Sequence, residues 1–256
     1  MRNIQSRGVP VVVFQFVSDV ICRVQFALGV PVMARETEIR KAYRLQLSHL
    51  ADEVLIMGSM VDKALERSMD ALAARDVELA RQVVSDDTFI NAKRMIIEEG
   101  AVVLLATQQP MASDLRFITS VEHIATDLER MGDHARSISR LCVKLCAEPP
   151  IRTVNEFPRM IASCRERLRL ALDAFVERDA DKALACARQD AEVDQLQDDV
   201  YDLMLATMEK DGRTVVRATY LLWIAHNLER VGDHITNVCE RVMYIAKGRR
   251  HELGEA

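Results

Sequence analysis

The sequence predicts an all-α protein built as two tandem three-helix bundles related by internal duplication. Three observations carry this expectation. Apolar residues recur at steps of three and four along nearly the whole chain, the spacing of one helix face. Turn-forming residues are scarce, with 9 glycines and 6 prolines in 256 residues. An eleven-residue stretch, IATDLERMGDH at Ile124–His134, returns as IAHNLERVGDH at Ile224–His234 with eight identical positions. Agreement of that length at matching places in two halves marks a duplication. An interval of 100 residues is too long for a helical solenoid repeat, so two copies of one bundle describe the chain better.

The elements follow in order. The first helix starts near Glu36 and carries Leu45, Leu47, Leu50, Val54, Leu55, Met57, Val61, Leu65 and Met69, up to a break at Ala74–Asp76. The second runs through Ile90, Met95, Ile96, Val103 and Leu104 to Gln109. Pro110 opens the third, where a missing backbone N–H costs nothing. Pro149 and Pro150 stop that helix after about Ala147. A fourth covers Asn155 to Val176, a fifth ends at the Asp211–Gly212 break, and the sixth reaches Gly248. The dipeptide Arg75-Asp76 returns as Arg178-Asp179, 103 residues on. The first bundle thus occupies residues 33–149 and the second 150–250.

Composition narrows the function classes. The chain is 49% hydrophobic but only 5% aromatic, so its core is aliphatic. A net charge of −5 with no basic block gives no footprint for nucleic acid. None of the six cysteines forms a CxxC pair. Cys142 and Cys146, one helical turn apart, could hold a soft metal, but they also extend an apolar stripe and read as buried reduced thiols. Residues 1–32 are apolar and β-branched, unlike the rest. Ser18, Asp19, Arg23 and Gln25 interrupt them short of the roughly 18 apolar residues of a membrane span. Arg2 and Arg7 ahead of an apolar stretch would also fit a secretory signal. The preferred reading is an extension outside the fold, with translation starting at Met33, and no direct membrane insertion.

The duplicated stretch carries the chemistry. Ile124, Leu128, Met131, Ala135 and Ile138 form a heptad-type seam, as do Ile224, Leu228, Val231, Ile235, Val238 and Val242. At about 100° per residue, Glu129 and Asp133 fall away from that seam, about 40° and about 6 Å apart, and Glu229 and Asp233 do the same. Each pair is therefore expected to point outward. Like charges one turn apart repel mildly and invite a counter-ion. Carboxylates suit hard cations such as Mg²⁺ and Mn²⁺, and also iron. Asp190 and Asp194 supply a further pair on the preceding helix of the second half, where the first half has Asp87 and Asn91. Arg130 and Arg230 are placed to pair with the acids, and a helix-interior Gly132 or Gly232 costs about 1 kcal/mol against Ala, which suggests a close approach there. His134 and His234 project to the opposite flank and fit surface or inter-helix hydrogen bonding better than ligation within one helix. No Glu-x-x-His occurs in the signatures, and no HExxH, Walker A or GxGxxG motif or nucleophile constellation occurs in the chain. The chain is thus not expected to be an enzyme.

The segments QQPMASDLRFITSVEHIATDLERMGDHA (residues 108–135) and AHNLERVGDHITNVCERV (residues 225–242) resemble the paired signatures of the PhoU family, accessory proteins of phosphate-specific transport. Leu47–Asn91 resembles that family's opening helix and its turn into the second, so the resemblance covers about Met33 to Glu252. It implies a cytoplasmic, homodimer-forming protein of two three-helix bundles. It implies divalent metal, or multinuclear iron or zinc clusters, held by E(D)xxxD motifs. Those motifs fall here on Glu129/Asp133, Glu229/Asp233 and Asp190/Asp194, with Asp87 in the first half. The remaining signature positions, expected to serve partner binding, are Asp127, Arg130, Gly132, His134, Asn227, Arg230, Gly232, His234 and Asn237. The implied role couples the ATPase subunit of the phosphate ABC transporter to a sensor histidine kinase, as a negative regulator of the starvation response when phosphate is plentiful. Asn91 departs from the acidic pattern, and Ser137 and Arg140 stand where the second half has Asn237 and Glu240. First-half metal affinity is therefore expected to be the weaker. A metal-storage or metalloenzyme bundle, with carboxylates buried beside histidine, is the competing reading, and a plain helical scaffold is a third.

Overall fold

In a computed structural model of the chain, residues 32–151 and 153–249 are described. The helices are α1 (Val32–Ala74), α2 (Val77–Gln108), α3 (Ala112–Cys146), α4 (Phe157–Glu177), α5 (Ala180–Ala187), α6 (Ala191–Lys210) and α7 (Val215–Lys247). A single 3₁₀ turn, Gly212–Thr214, precedes α7. No strand occurs among the described residues. The fold is all-α. The chain divides into two compact units, Met1–Gln46 and Leu47–Ala256. Within the first, the described residues belong to the opening of α1; the rest of α1 and helices α2 to α7 belong to the second. Apart from Val32, the expected extension at residues 1–32 lies outside the described residues.

The repeated Arg-Asp dipeptide makes the same turn in each repeat. Arg75 and Arg178 take left-handed backbone, with φ of 55° and 53°. The N–H of Asp76 then returns to the carbonyl of Ala71 at 2.8 Å, and that of Asp179 to Ala174 at 3.0 Å, closing a Schellman-type end. Each aspartate next caps the following helix: Asp76 accepts from the N–H of Leu79, and Asp179 from those of Asp181 and Lys182. One residue ends a helix and its neighbour starts another.

Three expectations need correction. Pro110 lies before the N-cap Met111 of α3, two residues ahead of the helix it was expected to open. The fifth helix is interrupted at Arg188–Asp190, giving α5 and α6; at the break the Asp190 side chain is held by Arg167 and Thr236. The first-repeat core is also narrower than the apolar pattern suggests. Leu47, Leu50, Val54, Met57, Val61, Leu65 and Met69 are buried, whereas Leu45 is exposed and Leu55 half-buried. On α2, Ala80, Val83, Ile90, Ile97, Ala101 and Leu104 face inward, whereas Met95, Ile96 and Val103 are exposed. Apolar residues on both faces of α2 leave its periodicity unable to choose an inner side.

The signature helices α3 and α7 pack antiparallel, residue 127 opposite 234 and residue 134 opposite 227. The opening helices of the repeats also meet, through Arg165 of α4 and the Asp62 and Glu66 carboxylates of α1, each at 2.6 Å. The two repeats are thus joined about a pseudo-twofold that pairs equivalent helices. Among the described residues no helix is long and apolar enough to cross a membrane.

Candidate functional site

The signature residues separate into two groups that face in different directions. One group closes the contact between the repeats. Asn227 gives its Nδ2 hydrogen to the carbonyl of Trp223 at 2.6 Å, which leaves Oδ1 to accept from Nδ1 of His134 at 2.8 Å. Across the pseudo-twofold, Nδ1 of His234 donates to Asp127 Oδ1 at 3.0 Å, and Asn237 Nδ2 donates to the same oxygen at 3.2 Å. The two imidazoles lie 5.5 Å apart, centroid to centroid. Burial holds the His134 pKa below the ordinary histidine value, opposed by its bond to Asn227 and reinforced by His234 and Arg230. Asp127, Asn227, Asn237 and both histidines thus bond across the two halves of one chain.

The acids form the second group, and they do not point straight outward as expected. Glu129 and Asp133 are only 14% and 23% exposed, Glu229 and Asp233 20% and 36%. Each pair stands on the flank that faces the preceding helix of its own repeat. The glycines explain how that helix comes so close. A Cβ on Gly132 would meet Ile90 Cδ1 of α2 at 3.0 Å, and one on Gly232 would meet Asp190 Oδ1 at 2.9 Å.

In the first repeat arginines occupy the acids. Arg136 reaches Asp87 Oδ2 at 2.7 Å and Asp133 Oδ1 at 2.6 Å, so one guanidinium bridges acids from α2 and α3. Arg130 lies 3.7 Å from Glu129 and 3.5 Å from Asp133, and Arg94 lies 3.7 Å from Glu129. Asn91 Nδ2 donates to Asp87 as well. In the second repeat the cation comes from elsewhere. Arg167 of α4, fully buried, donates to Asp190 Oδ1 at 2.6 Å and to Thr236 at 3.0 Å, and Thr236 Oγ1 donates to Asp190 Oδ2 at 2.9 Å. Asp233 pairs with Arg230 at 2.7 Å. Glu229 Oε2, like Glu129 Oε2 of the first repeat, is closed off from water and receives no hydrogen bond; the nearest cationic group to Glu229 is the His226 imidazole, its Nδ1 at 3.2 Å, where Glu129 has Arg94 and Arg130.

That difference is electrostatic. Burial raises the Glu229 carboxyl pKa, and Asp233 and Asp194 add to the rise against His226 and Arg230. Burial likewise raises Asp194, joined by Asp190 and Asp233 and opposed by Arg167. Among the described residues no set of three or more His, Cys, Asp or Glu side chains is placed to hold a metal ion. The two repeats nevertheless differ in where arginine stands: in the first Arg136 pairs with Asp87 and Asp133 and two arginines lie 3.7 Å from Glu129, whereas in the second no arginine among the described residues pairs with Glu229 or Asp194. Arg94, Arg136, Arg167, Thr236 and His226 were not singled out by sequence reasoning. The Arg136/Thr236 difference was visible at the 100-residue offset, in the same comparison that gives Ser137 and Asn237.

A family model for the PhoU domain matches twice, over residues 54–142 and 157–242. The chain belongs to the PhoU family. A relative from Clostridium acetobutylicum, a phosphate-specific transport system accessory protein PhoU homolog, is 36% identical over 217 residues, covering 84% of this chain and 99% of its own. A relative of the same name from Pseudomonas aeruginosa is 35% identical over 211 residues, covering 82% and 87%. The crystal structure of PhoU from Pseudomonas aeruginosa superposes with a TM-score of 0.77 at 35% identity, over 81% of this chain and 100% of that one. That of the phosphate transport system regulatory protein PhoU from Streptococcus pneumoniae gives 0.78 at 31%, over 82% and 100%. Both matches to the PhoU domain include a signature helix and the acidic turn of the helix before it, so the arginine-filled and arginine-poor clusters lie at equivalent places in two copies of the PhoU domain.

Proposed function

We propose that this chain is an accessory and regulatory protein of phosphate-specific transport, acting as a cytoplasmic adaptor. It contacts the ATPase subunit of the phosphate ABC transporter and a sensor histidine kinase, and holds the starvation response down when phosphate is plentiful. The observation that carries the reading is family membership over both repeats, with relatives named for that transport system. The geometry supports docking rather than turnover. The acid pairs are half-exposed, and the helices that carry and face them also bear exposed apolar residues: Trp223 on α7, and Phe89, Met95 and Ile96 on α2. A metal-storage or metalloenzyme bundle is not favoured, because the two signature histidines, His134 and His234, are spent on Asn227 and Asp127, which leaves His226 as the histidine beside an acid pair among the described residues.

Within this reading a divalent ion, or an iron or zinc cluster, would have to draw Glu229, Asp233 and Asp194 of the second repeat together, since they are not placed to ligate jointly in this structure. It would supply the positive charge that Glu229 and Asp194 lack and so set the charge of that docking face. Tagged chain drawn from phosphate-replete cells should bring down both the transporter ATPase subunit and a sensor histidine kinase. Recovery of neither, with the chain folded and abundant, would remove the adaptor role.

A further inference from the structure

The two acidic clusters descend from one duplicated unit, yet each takes its arginine from a different helix. Position 136 of α3 is Arg, and its partner position 236 of α7 is Thr. Position 167 of α4 is Arg, and 103 residues earlier α1 has Ala64. The exchange changes where the positive charge stands. Arg167 is fully buried and lies behind Asp190, away from the half-exposed Glu229 and Asp233. Arg136 is 28% exposed and lies between Asp87 and Asp133, its two terminal nitrogens each on a different carboxylate. A planar guanidinium that bridges two carboxylates from neighbouring helices meets the same demand as a bridging cation: neutralise both and fix their separation. A metal ion entering there would have to displace a guanidinium already bonded at 2.6 and 2.7 Å.

We propose that Arg136 is a built-in counter-cation that makes the first acidic cluster independent of metal, leaving the second as the cation-responsive one. The inference rests on the reading in which the second repeat takes a divalent ion. The two clusters then differ in kind: one has a fixed charge, and the other has a charge set by its occupant. Asn91 serves the same end, since its amide donates to Asp87 where an aspartate would add charge.

The test uses full-length chain carrying Glu229→Ala and Asp233→Ala, so that the second cluster is silent, with Mn²⁺ as the probe. Binding is read by equilibrium dialysis and by the shift of the thermal midpoint on adding Mn²⁺. With Arg136 intact, this protein should bind no Mn²⁺ at the first cluster and its midpoint should not move. Adding Arg136→Thr and Asn91→Asp should create one Mn²⁺ site per chain, lost again with Glu129→Ala and Asp133→Ala, and should make the midpoint rise with Mn²⁺. Should that variant not fold in the absence of metal, folding on Mn²⁺ addition is the same positive result, and Arg136→Gln alone provides the milder comparison. Mn²⁺ bound by the first cluster while Arg136 is present would overturn the proposal, as would no gain in any Arg136 variant. Failure of the second-repeat reading shows separately, as equal Mn²⁺ binding by wild type and by the Glu229→Ala/Asp233→Ala protein.

Discussion

His134 and His234, equivalent residues of the two repeats, face each other 5.5 Å apart, each bonded to the residue equivalent to the other's partner. The reciprocal contacts His134–Asn227 and His234–Asp127 clamp α3 to α7. This explains why the duplicated stretch keeps its histidine and a short polar residue seven positions before it.

The clamp weakens in acid. The folded-state pKa of His134 lies below its ordinary value of 6.5, so between the two values the unfolded chain binds more protons. Stability is then full above about 6.5 and falls as pH drops through that value towards the folded pKa. Urea midpoints measured from about pH 8 down to about pH 5 should decline, and His134→Asn should flatten the decline. An unchanged slope in that variant would assign the acid sensitivity to other groups.

Gly232 and Gly132 should respond unequally to alanine. A Cβ at 232 strikes Asp190 Oδ1 and lies 3.2 Å from Arg167 Nη1, two atoms locked in a buried ion pair. A Cβ at 132 meets the tip of Ile90, which can turn aside. Overpacking costs about 1–3 kcal/mol, offset by about 1 kcal/mol of helix propensity. Gly232→Ala should therefore destabilise by up to about 2 kcal/mol and Gly132→Ala by less. Equal losses in urea denaturation would mean the ion pair yields as easily as the isoleucine.

Arg167 holds the second repeat together from inside. Arg167→Leu leaves Asp190 without its cation and should cost about 3 kcal/mol, the lower end for a broken buried pair because Asp190 is 25% exposed. Replacing both, Arg167→Leu with Asp190→Leu, should recover part of the loss. A double variant as unstable as the sum of the two singles would show that the two side chains act independently.

Glu229 should be a source of repulsion in metal-free protein. Its folded pKa is raised above 4.5, so the folded state holds the proton more tightly, and stability is lost as pH rises through the folded value. At neutral pH Glu229→Gln should stabilise chelator-treated protein by about 0.2–0.5 kcal/mol, the size of a like-charge pair one turn apart. Glu129→Gln should not, because Arg94 and Arg130 already attend that carboxylate. A destabilised Glu229→Gln would contradict the electrostatic account of the second cluster.

Much of this molecule is legible in its sequence. The helix count of the first repeat, its Arg75–Asp76 turn and the duplication follow from periodicity and from one repeated stretch. Legibility ends where a residue's neighbours come from another helix. Periodicity places Glu129 and Asp133 away from their own seam, but only the approach of α2 over Gly132 shows that the flank is covered. Met95, Ile96 and Val103 fit a helical pattern as well as Ile90 does, and only packing separates the exposed from the buried. Arg167 is the furthest from view. A buried arginine on α4, opposite Asp190 and matched by Ala64 in the first repeat, has no local signal in either helix.

The central claim is regulatory, and a phosphate-responsive promoter reads it most directly. In a host lacking its own copy, wild-type chain should keep a reporter of phosphate-uptake genes silent in phosphate-rich medium. Chain with Glu229→Ala and Asp233→Ala should fold with normal helicity, since such half-exposed changes cost about 0.5 kcal/mol or less, bind less metal and leave the reporter on. Chain with Glu129→Ala and Asp133→Ala should keep its metal. A reporter that stays silent with no chain at all would contradict the account.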